Sequence, residues 1–307
     1  MKAAIIKDYA TDVVIGDVDT PKLNADSVLV EVHAASLNPI DNIVRAGYLK
    51  DMIPVSFPFV MGYDVSGIVT ETGADVTKVK VGDAVHARPN QDDAGSLAEF
   101  ARIKENELAL KPESISHAEA ASIPLAGLTA WQALVDKADL KAGQKVLIHA
   151  GSGGVGTLAI QIAKHIGAHV ATTTSARNAD LVRSLGADEV IDYKTERFEN
   201  IVSDYDVVFD MMGDDIMARS FGVLKKGGIL VSIKGQDTDN LAEKHGVRFE
   251  WFLMSPSGEQ LSQLDALIDK GVVKPVIDSS YKLADISAAY DKLADGHAVG
   301  KIVVAVK

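Results

Sequence analysis

The sequence predicts an α/β protein in two parts: a mainly β lobe with a helix-flanked parallel sheet inserted into it. Three observations carry that reading. Short apolar runs separated by turns fill the first hundred residues, strand and helix patterns alternate from Ser116 to about Pro256, and one strand-like run closes the chain. A length of 307 residues suits two domains.

In the first part, Val28-Leu29-Val30-Glu31-Val32 and Gly67-Ile68-Val69-Thr70 read as strands. Asn38-Pro39, Gly73-Ala74-Asp75 and Gly82-Asp83 read as turns between such runs. Six strands are expected in the second part: Lys145–Ala150, His169–Thr173, Glu189–Asp192, Val207–Asp210, Ile229–Ile233 and Arg248–Met254. Between the first two, Val155, Leu158, Ala159, Ile162 and Ile166 recur at helical spacing, and Gly167 closes that helix. Leu181, Val182 and Leu185 line the next helix, which stops at Gly186. The tail holds amphipathic segments at Leu261–Ile268 and Ile286–Leu293, then a strand over Lys301–Val306. It is too short for a third domain and is expected to complete the first lobe. The expected domains are 1–117 plus 257–307, and 118–256.

Composition excludes several chemistries. With no cysteine, the chain has no disulfide framework, thiol nucleophile or thiolate-bound zinc. With 43 Asp+Glu against 31 Lys+Arg, the net charge is −12, which disfavours gripping nucleic acid or anionic lipid. No apolar run approaches the roughly 18 residues of a membrane span, and the N-terminal alternation reads as a strand rather than a leader. A soluble, cytoplasmic protein is expected.

Ala150-Gly151-Ser152-Gly153-Gly154-Val155-Gly156 follows a strand and opens a helix. In that context a G-x-G-x-x-G string becomes a dinucleotide-binding mechanism. Gly151 serves the tight turn, Gly153 lets backbone approach a pyrophosphate, and Gly156 lets helix pack on strand, with the helix N-terminus facing the phosphates. Ser152, Gly154 and Val155 complete the turn. The end of the second strand selects the cofactor. It reads Thr172-Thr173-Thr174-Ser175-Ala176-Arg177, and no acidic residue occurs between Gly156 and Asp180. A carboxylate there would bind ribose hydroxyls and repel a 2′-phosphate, whereas a hydroxyl and a guanidinium attract it. The expected cofactor is therefore NADPH, read by Thr174, Ser175 and Arg177, with Tyr193 or Lys194 closing over the phosphate. The competing assignment is that Ser175 caps the next helix and Arg177 is solvated.

Several segments carry a resemblance. They are Ser36-Leu37-Asn38-Pro39-Ile40-Asp41, Arg45-Ala46-Gly47-Tyr48, Met61-Gly62-Tyr63-Asp64-Val65-Ser66-Gly67 and Gly127-Leu128-Thr129-Ala130-Trp131, with Ala150–Gly156, Leu185-Gly186-Ala187-Asp188 and Gly300-Lys301-Ile302-Val303. In that order, over essentially the whole length, the chain resembles the zinc-independent quinone oxidoreductase branch of the medium-chain dehydrogenase/reductase superfamily. The resemblance implies a Rossmann dinucleotide-binding domain inserted in a GroES-like, mainly β catalytic domain. Zinc-dependent members carry a Cys and a Gly-His-Glu element where this chain reads Gly62-Tyr63-Asp64, so no metal ligand set is expected.

The implied chemistry is hydride transfer from NADPH to a quinone or to the β-carbon of an α,β-unsaturated carbonyl. Position matching nominates Asn38, Asp41 and Tyr48 as catalytic. Asn38 would donate to cofactor or substrate oxygen, Tyr48 would supply a proton, and Asp41 would orient Arg45 or Tyr48. Thr129 would hold the nicotinamide ribose or phosphate, and Lys301 would reach the cofactor. Structural readings stand beside these: Asn38-Pro39 as a turn, Tyr48 as a packed aromatic and Lys301 as a solvated cation. The alternative function is a non-catalytic NADPH-binding sensor or partner protein.

Other features read as structural: Met211-Met212 as core or cofactor floor, His149 as packing, Asp214-Asp215 as a helix start, and His165 with His169 as unrelated. Trp251-Phe252 in the last parallel strand suggests an edge pairing two copies into a homodimer.

Overall fold

The computed structural model describes residues 1–90 and 95–307. The chain divides into two compact units, Met1–Leu128, Ser255–Gly271 and Pro275–Lys307 in the first, Thr129–Met254 and Val272–Lys274 in the second. In chain order the first unit begins with β1 (Lys2–Ile6), β2 (Val14–Asp17), β3 (Ser27–Leu37), α1 (Pro39–Arg45), β4 (Phe59–Val60) and β5 (Asp64–Thr72). It continues through β6 (Ala84–Ala87), β7 (Phe100–Lys104), β8 (Leu108–Leu110) and α2 (His117–Ala121), and α3 (Pro124–Trp131) leads from it into the second unit. The second unit holds β9 (Lys145–Ile148), α4 (Gly154–Ile166), β10 (His169–Thr174), α5 (Ala179–Ser184), β11 (Glu189–Asp192) and β12 (Tyr205–Asp210). It ends with α6 (Asp214–Ser220), β13 (Leu224–Ser232), α7 (Leu241–His245) and β14 (Arg248–Trp251). The tail adds α8 (Gly258–Asp269), β15 (Ile277–Lys282), α9 (Ile286–Asp295) and β16 (Lys301–Ala305) to the first unit.

The returning tail is stitched into the first unit by a strand ladder. β16 runs antiparallel to β3, with Ile302 opposite Leu37 and Val303 opposite Ser36. The larger sheet runs β15-β16-β3-β5-β6-β8, and β7 pairs with the other half of β3. Val28, Val30, Val32, Val65, Val69 and Val85 form one buried cluster on it, and Leu37 and Ile302 join Met61 and Ile286 in another. Each such aliphatic side chain contributes about 1.5–3 kcal/mol on burial. Asp265 of α8 adds a buried polar clasp, since its Oδ2 meets His86 Nε2 at 2.9 Å while His86 Nδ1 lies 3.1 Å from the Ala120 carbonyl.

The second unit is a six-stranded parallel sheet in the order β11-β10-β9-β12-β13-β14. Numbered from its own first strand, that is 3-2-1-4-5-6, the doubly wound order whose reversal lies between β9 and β12. All six expected strands are present. Leu147, Ala171, Val208, Leu230 and Phe221 form the core on one face. α4 ends on Gly167 in the left-handed region, φ 94°, as its position in the pattern predicts.

The structure departs from expectation in three places. Asn38-Pro39 does not form a turn between strands; Asn38 is the N-cap of α1 and Pro39 its first residue, where a missing N–H costs nothing. β15 is an additional strand, because Ile277-Asp-Ser-Ser-Tyr-Lys carries too few apolar residues to signal one in the sequence. The domain boundaries also differ: residues 118–128, 255 and 256 belong to the first unit, where Ala121 packs on Ala34 and Val303, and Val272–Lys274 belong to the second. No described helix is long and apolar enough to cross a membrane.

Candidate active site

The glycine turn leaves β9 at Ile148 and enters α4 at Gly154, at the C-terminal edge of the sheet. A Cβ on Gly151 would lie 2.0 Å from Thr172 Oγ1, and one on Gly156 would lie 2.4 Å from the Ala150 carbonyl oxygen. Both glycines are therefore required by the protein's own packing. A Cβ on Gly153 would meet only the Ala150 carbonyl, at 3.4 Å, so the space beside it is open to a ligand. Ala150 carries the turn's positive φ, 52°. Gly154, Val155 and Gly156 form the first turn of α4, whose N–H groups have no intrahelical acceptor and lie at the positive end of the helix dipole.

The end of β10 holds the turn from beside. Thr173 Oγ1 accepts from the Ala150 N–H at 3.2 Å, and its carbonyl accepts from the Gly151 N–H at 3.0 Å. Ser152 Oγ accepts from Thr174 Oγ1 at 2.8 Å and from Asn178 Nδ2 at 3.0 Å. Asn178 is a site residue that sequence reasoning does not single out; only its place in the polar run Ser175–Asn178 points to it. Ser175 is buried and stands at the N-cap position of the short helix after it, but its side chain makes no capping hydrogen bond. Arg177 is exposed and has no ion-pair partner among the described residues. The Tyr193 N–H donates to the Thr174 carbonyl at 3.2 Å, bringing the end of β11, with Tyr193 and Lys194, alongside Ser175.

This cradle fits a dinucleotide phosphate bearing a 2′-phosphate. It offers open backbone at Gly153, hydroxyl and amide groups at Ser152, Thr174 and Asn178, and an unpaired guanidinium with no acid at the β10 terminus. His149 beneath the turn is structural. Its ring contacts Thr173 Oγ1 and Ser220 Oγ, and burial pushes its pKa down to about 4, so it is neutral at pH 7. Asp210, another residue without a sequence signal, pins the turn after β12 by accepting from the Met212 and Gly213 N–H groups and from Ser232 Oγ.

The first unit gathers a second polar group at one end of three adjacent strands. Ser36 on β3 faces Asp64 on β5, and Lys301 begins β16 beside them. Asp64 Oδ2 accepts from Ser36 Oγ at 2.8 Å, Asn38 Nδ2 at 2.8 Å and Lys301 Nζ at 3.0 Å, while Oδ1 accepts from the Leu125 N–H at 2.7 Å. Lys301 Nζ also donates to the Leu37 carbonyl and to Asn38 Oδ1. The Ser36, Asn38, Asp64 and Lys301 side chains are all buried.

Asn38, Asp41 and Lys301 do come together, but not in the roles expected of the last two. All three Lys301 N–H donors are engaged inside the first unit, so none is left for a cofactor. Asp41 accepts from the Asn38 backbone N–H at 2.7 Å and so orients Asn38, not Arg45 or Tyr48. Arg45 instead lies over the Tyr290 ring. Burial pushes the Asp41 carboxyl up to about 7, against the lowering effect of that N–H and of Lys301. Tyr48 is 82% exposed, outside this cluster and not a packed aromatic. Thr129 is buried within α3 in the second unit.

A zinc ion does not fit this cluster. Asp64 is surrounded by four donors, one of them an ammonium, and the residue before it is tyrosine. No group of three or more His, Asp or Glu among the described residues is arranged to hold a metal.

Comparison with known proteins gives the same lineage. Residues 24–113 match the family described as "Alcohol dehydrogenase GroES-like domain", and residues 185–304 match "Zinc-binding dehydrogenase". The chain is 39% identical to the chloroplastic NADPH-dependent alkenal/one oxidoreductase of Arabidopsis thaliana, covering 99% of this chain and 79% of that protein. It is 38% identical to the 2-methylene-furan-3-one reductase of Solanum lycopersicum over the same shares. In structure it is similar to the quinone oxidoreductase of Coxiella burnetii, with a TM-score of 0.93 at 36% identity, covering 100% of this chain and 99% of that one. The chain belongs to the medium-chain dehydrogenase/reductase superfamily, within its quinone oxidoreductase branch.

Proposed function

We propose that the protein is an NADPH-dependent oxidoreductase that reduces α,β-unsaturated carbonyls or quinones without zinc. The observation that carries the cofactor assignment is the end of β10, where buried Ser175 and unpaired Arg177 stand in place of an acid. The substrate class is supported by the relatives named for alkenals, a methylene-furanone and quinones.

Bound at the glycine turn, NADPH supplies a hydride. The Gly153 backbone, Ser152, Thr174 and the first turn of α4 would hold the phosphates, and Ser175 and Arg177 would hold the 2′-phosphate, with Tyr193 alongside. Thr129 would contribute its hydroxyl to the nicotinamide ribose or phosphate. Asn38 Nδ2 donates to the substrate oxygen as negative charge develops there. Tyr48, open to solvent, supplies the proton that completes the reduction and regains it from water. The zinc-free reading rests on the donors surrounding Asp64.

NADPH oxidation against a panel of enals, enones, benzoquinones and naphthoquinones, with NADH as the control, tests this function. Turnover with at least one acceptor and a preference for NADPH is expected. Tight NADPH binding with no turnover across the panel would favour the sensor reading instead. We also infer a homodimer joined along β14, whose outer edge has no strand partner among the described residues. Light scattering that gives a monomer at micromolar concentration would remove that inference.

A further inference from the structure

The side-chain amide of Asn38 is held in a single orientation by charges of opposite sign. Its Oδ1 accepts from the Lys301 ammonium, and its Nδ2 donates to the Asp64 carboxylate at 2.8 Å. Turning the amide over would place NH₂ against the ammonium and oxygen against the carboxylate. The backbone is fixed as well, since the Asn38 N–H donates to Asp41 Oδ2 and Pro39 follows it at the head of α1. An amide nitrogen carries two protons. One goes to Asp64; the second has no acceptor among the described residues, on a residue only 2% exposed. A buried donor left without a partner is costly unless a ligand takes it.

The pair that holds the amide is itself held by the sheet. Ser36 and Asp64 are register partners across β3 and β5, and the Ile302–Leu37 pairing of β16 with β3 sets Lys301 beside them. Lys301 has no spare proton to give a ligand, and Asp64 already accepts from four donors. Neither residue can act on a substrate directly.

We propose that Lys301 and Asp64 are positioning residues that lock the Asn38 amide, so that its second Nδ2 proton is a fixed donor for the carbonyl oxygen of the acceptor. The inference rests on the reductase function proposed above. It explains why a lysine and an aspartate stand buried together. Their charges cancel locally, and the resulting dipole selects one of two amide orientations before the substrate arrives.

The test is a double-mutant cycle on Asn38→Ala and Lys301→Met, read as kcat and acceptor KM at saturating NADPH, with NADPH affinity and Tm measured on each variant. Each single variant is expected to lose about 10- to 100-fold in kcat, with NADPH affinity within about two-fold of wild type. Lys301→Met added to Asn38→Ala is expected to lose no more than about a further two-fold, because Lys301 acts through Asn38. Undiminished kcat in Lys301→Met, or losses that multiply in the double variant, would overturn the proposal. If Lys301→Met alone does not fold, Asp64→Asn/Lys301→Met removes both charges together and takes its place in the cycle. A wild type that turns over no acceptor would overturn the function itself and this inference with it. An active wild type with multiplying losses would overturn the inference alone.

Discussion

The glycine turn and the Asp64 cluster are built on opposite plans. The turn uses backbone and small side chains from one stretch, Ala150–Asn178, and places its charge, Arg177, at the surface. The cluster uses polar groups from residues 36, 38, 41, 64, 125 and 301 and buries all its charge. A cradle of N–H groups tolerates a large, mobile, anionic ligand because its dipoles are fixed by the helix. A cluster of buried charges instead fixes a few donors in place and depends on every partner being present.

Substitutions should separate the two plans. The largest effect is expected at Gly151. Its Cβ would collide with Thr172 Oγ1, so Gly151→Val should abolish NADPH binding and lower Tm by several degrees, roughly as overpacking by 1–3 kcal/mol would. Gly153→Ala enters open space, so Tm should hold while titration shows NADPH affinity weakened by about ten-fold or more. Equal Tm losses in the two variants would break the distinction between packing glycine and ligand glycine.

Arg177→Ala comes next. Losing a charge-assisted contact worth about 1.5–3 kcal/mol should weaken NADPH binding about 10- to 100-fold and leave NADH binding unchanged. Equal losses for both cofactors would sink the 2′-phosphate assignment.

Asp41 sharpens the comparison through pH. Its carboxyl titrates at about 7 in the folded protein, well above the ordinary aspartate range near 4, so the folded state binds the proton more tightly than the unfolded chain does. Stability should therefore fall as pH rises from about 4 through 7, by an amount on the order of a few kcal/mol. Asp41→Asn should flatten that slope in urea titrations at pH 5 and pH 8. A wild type that gains stability from this group over the same range would contradict its burial. The smallest effect is expected from Tyr48→Phe. Because the phenol is solvent-exposed, water can replace part of its function, and kcat should fall by less than about ten-fold. Full turnover would remove Tyr48 as the proton source.

The contrast also explains what the sequence could reveal. The turn, the six strands and the missing acid after β10 are local, and spacing alone exposes them. Asn178 and Asp210 escape such a reading because single polar residues beside a strand end have no period. Asn38 and Asp41 enter only through resemblance to a known family. Their partners Asp64 and Lys301 lie 237 positions apart, joined by a strand ladder that no local pattern encodes. The motif around Lys301 places it near the cofactor because it shows where the lysine stands in the chain, not which acceptors β3 brings to it.

The division of labour between the units is tested most directly by measuring NADPH dissociation constant and kcat together in Arg177→Ala and Asn38→Ala. Arg177→Ala should raise the dissociation constant about 10- to 100-fold and keep kcat within about two-fold of wild type at saturating NADPH. Asn38→Ala should do the reverse. If both variants moved both quantities by similar factors, the assignment of cofactor capture to the glycine turn and of acceptor activation to the Asp64 cluster would be wrong.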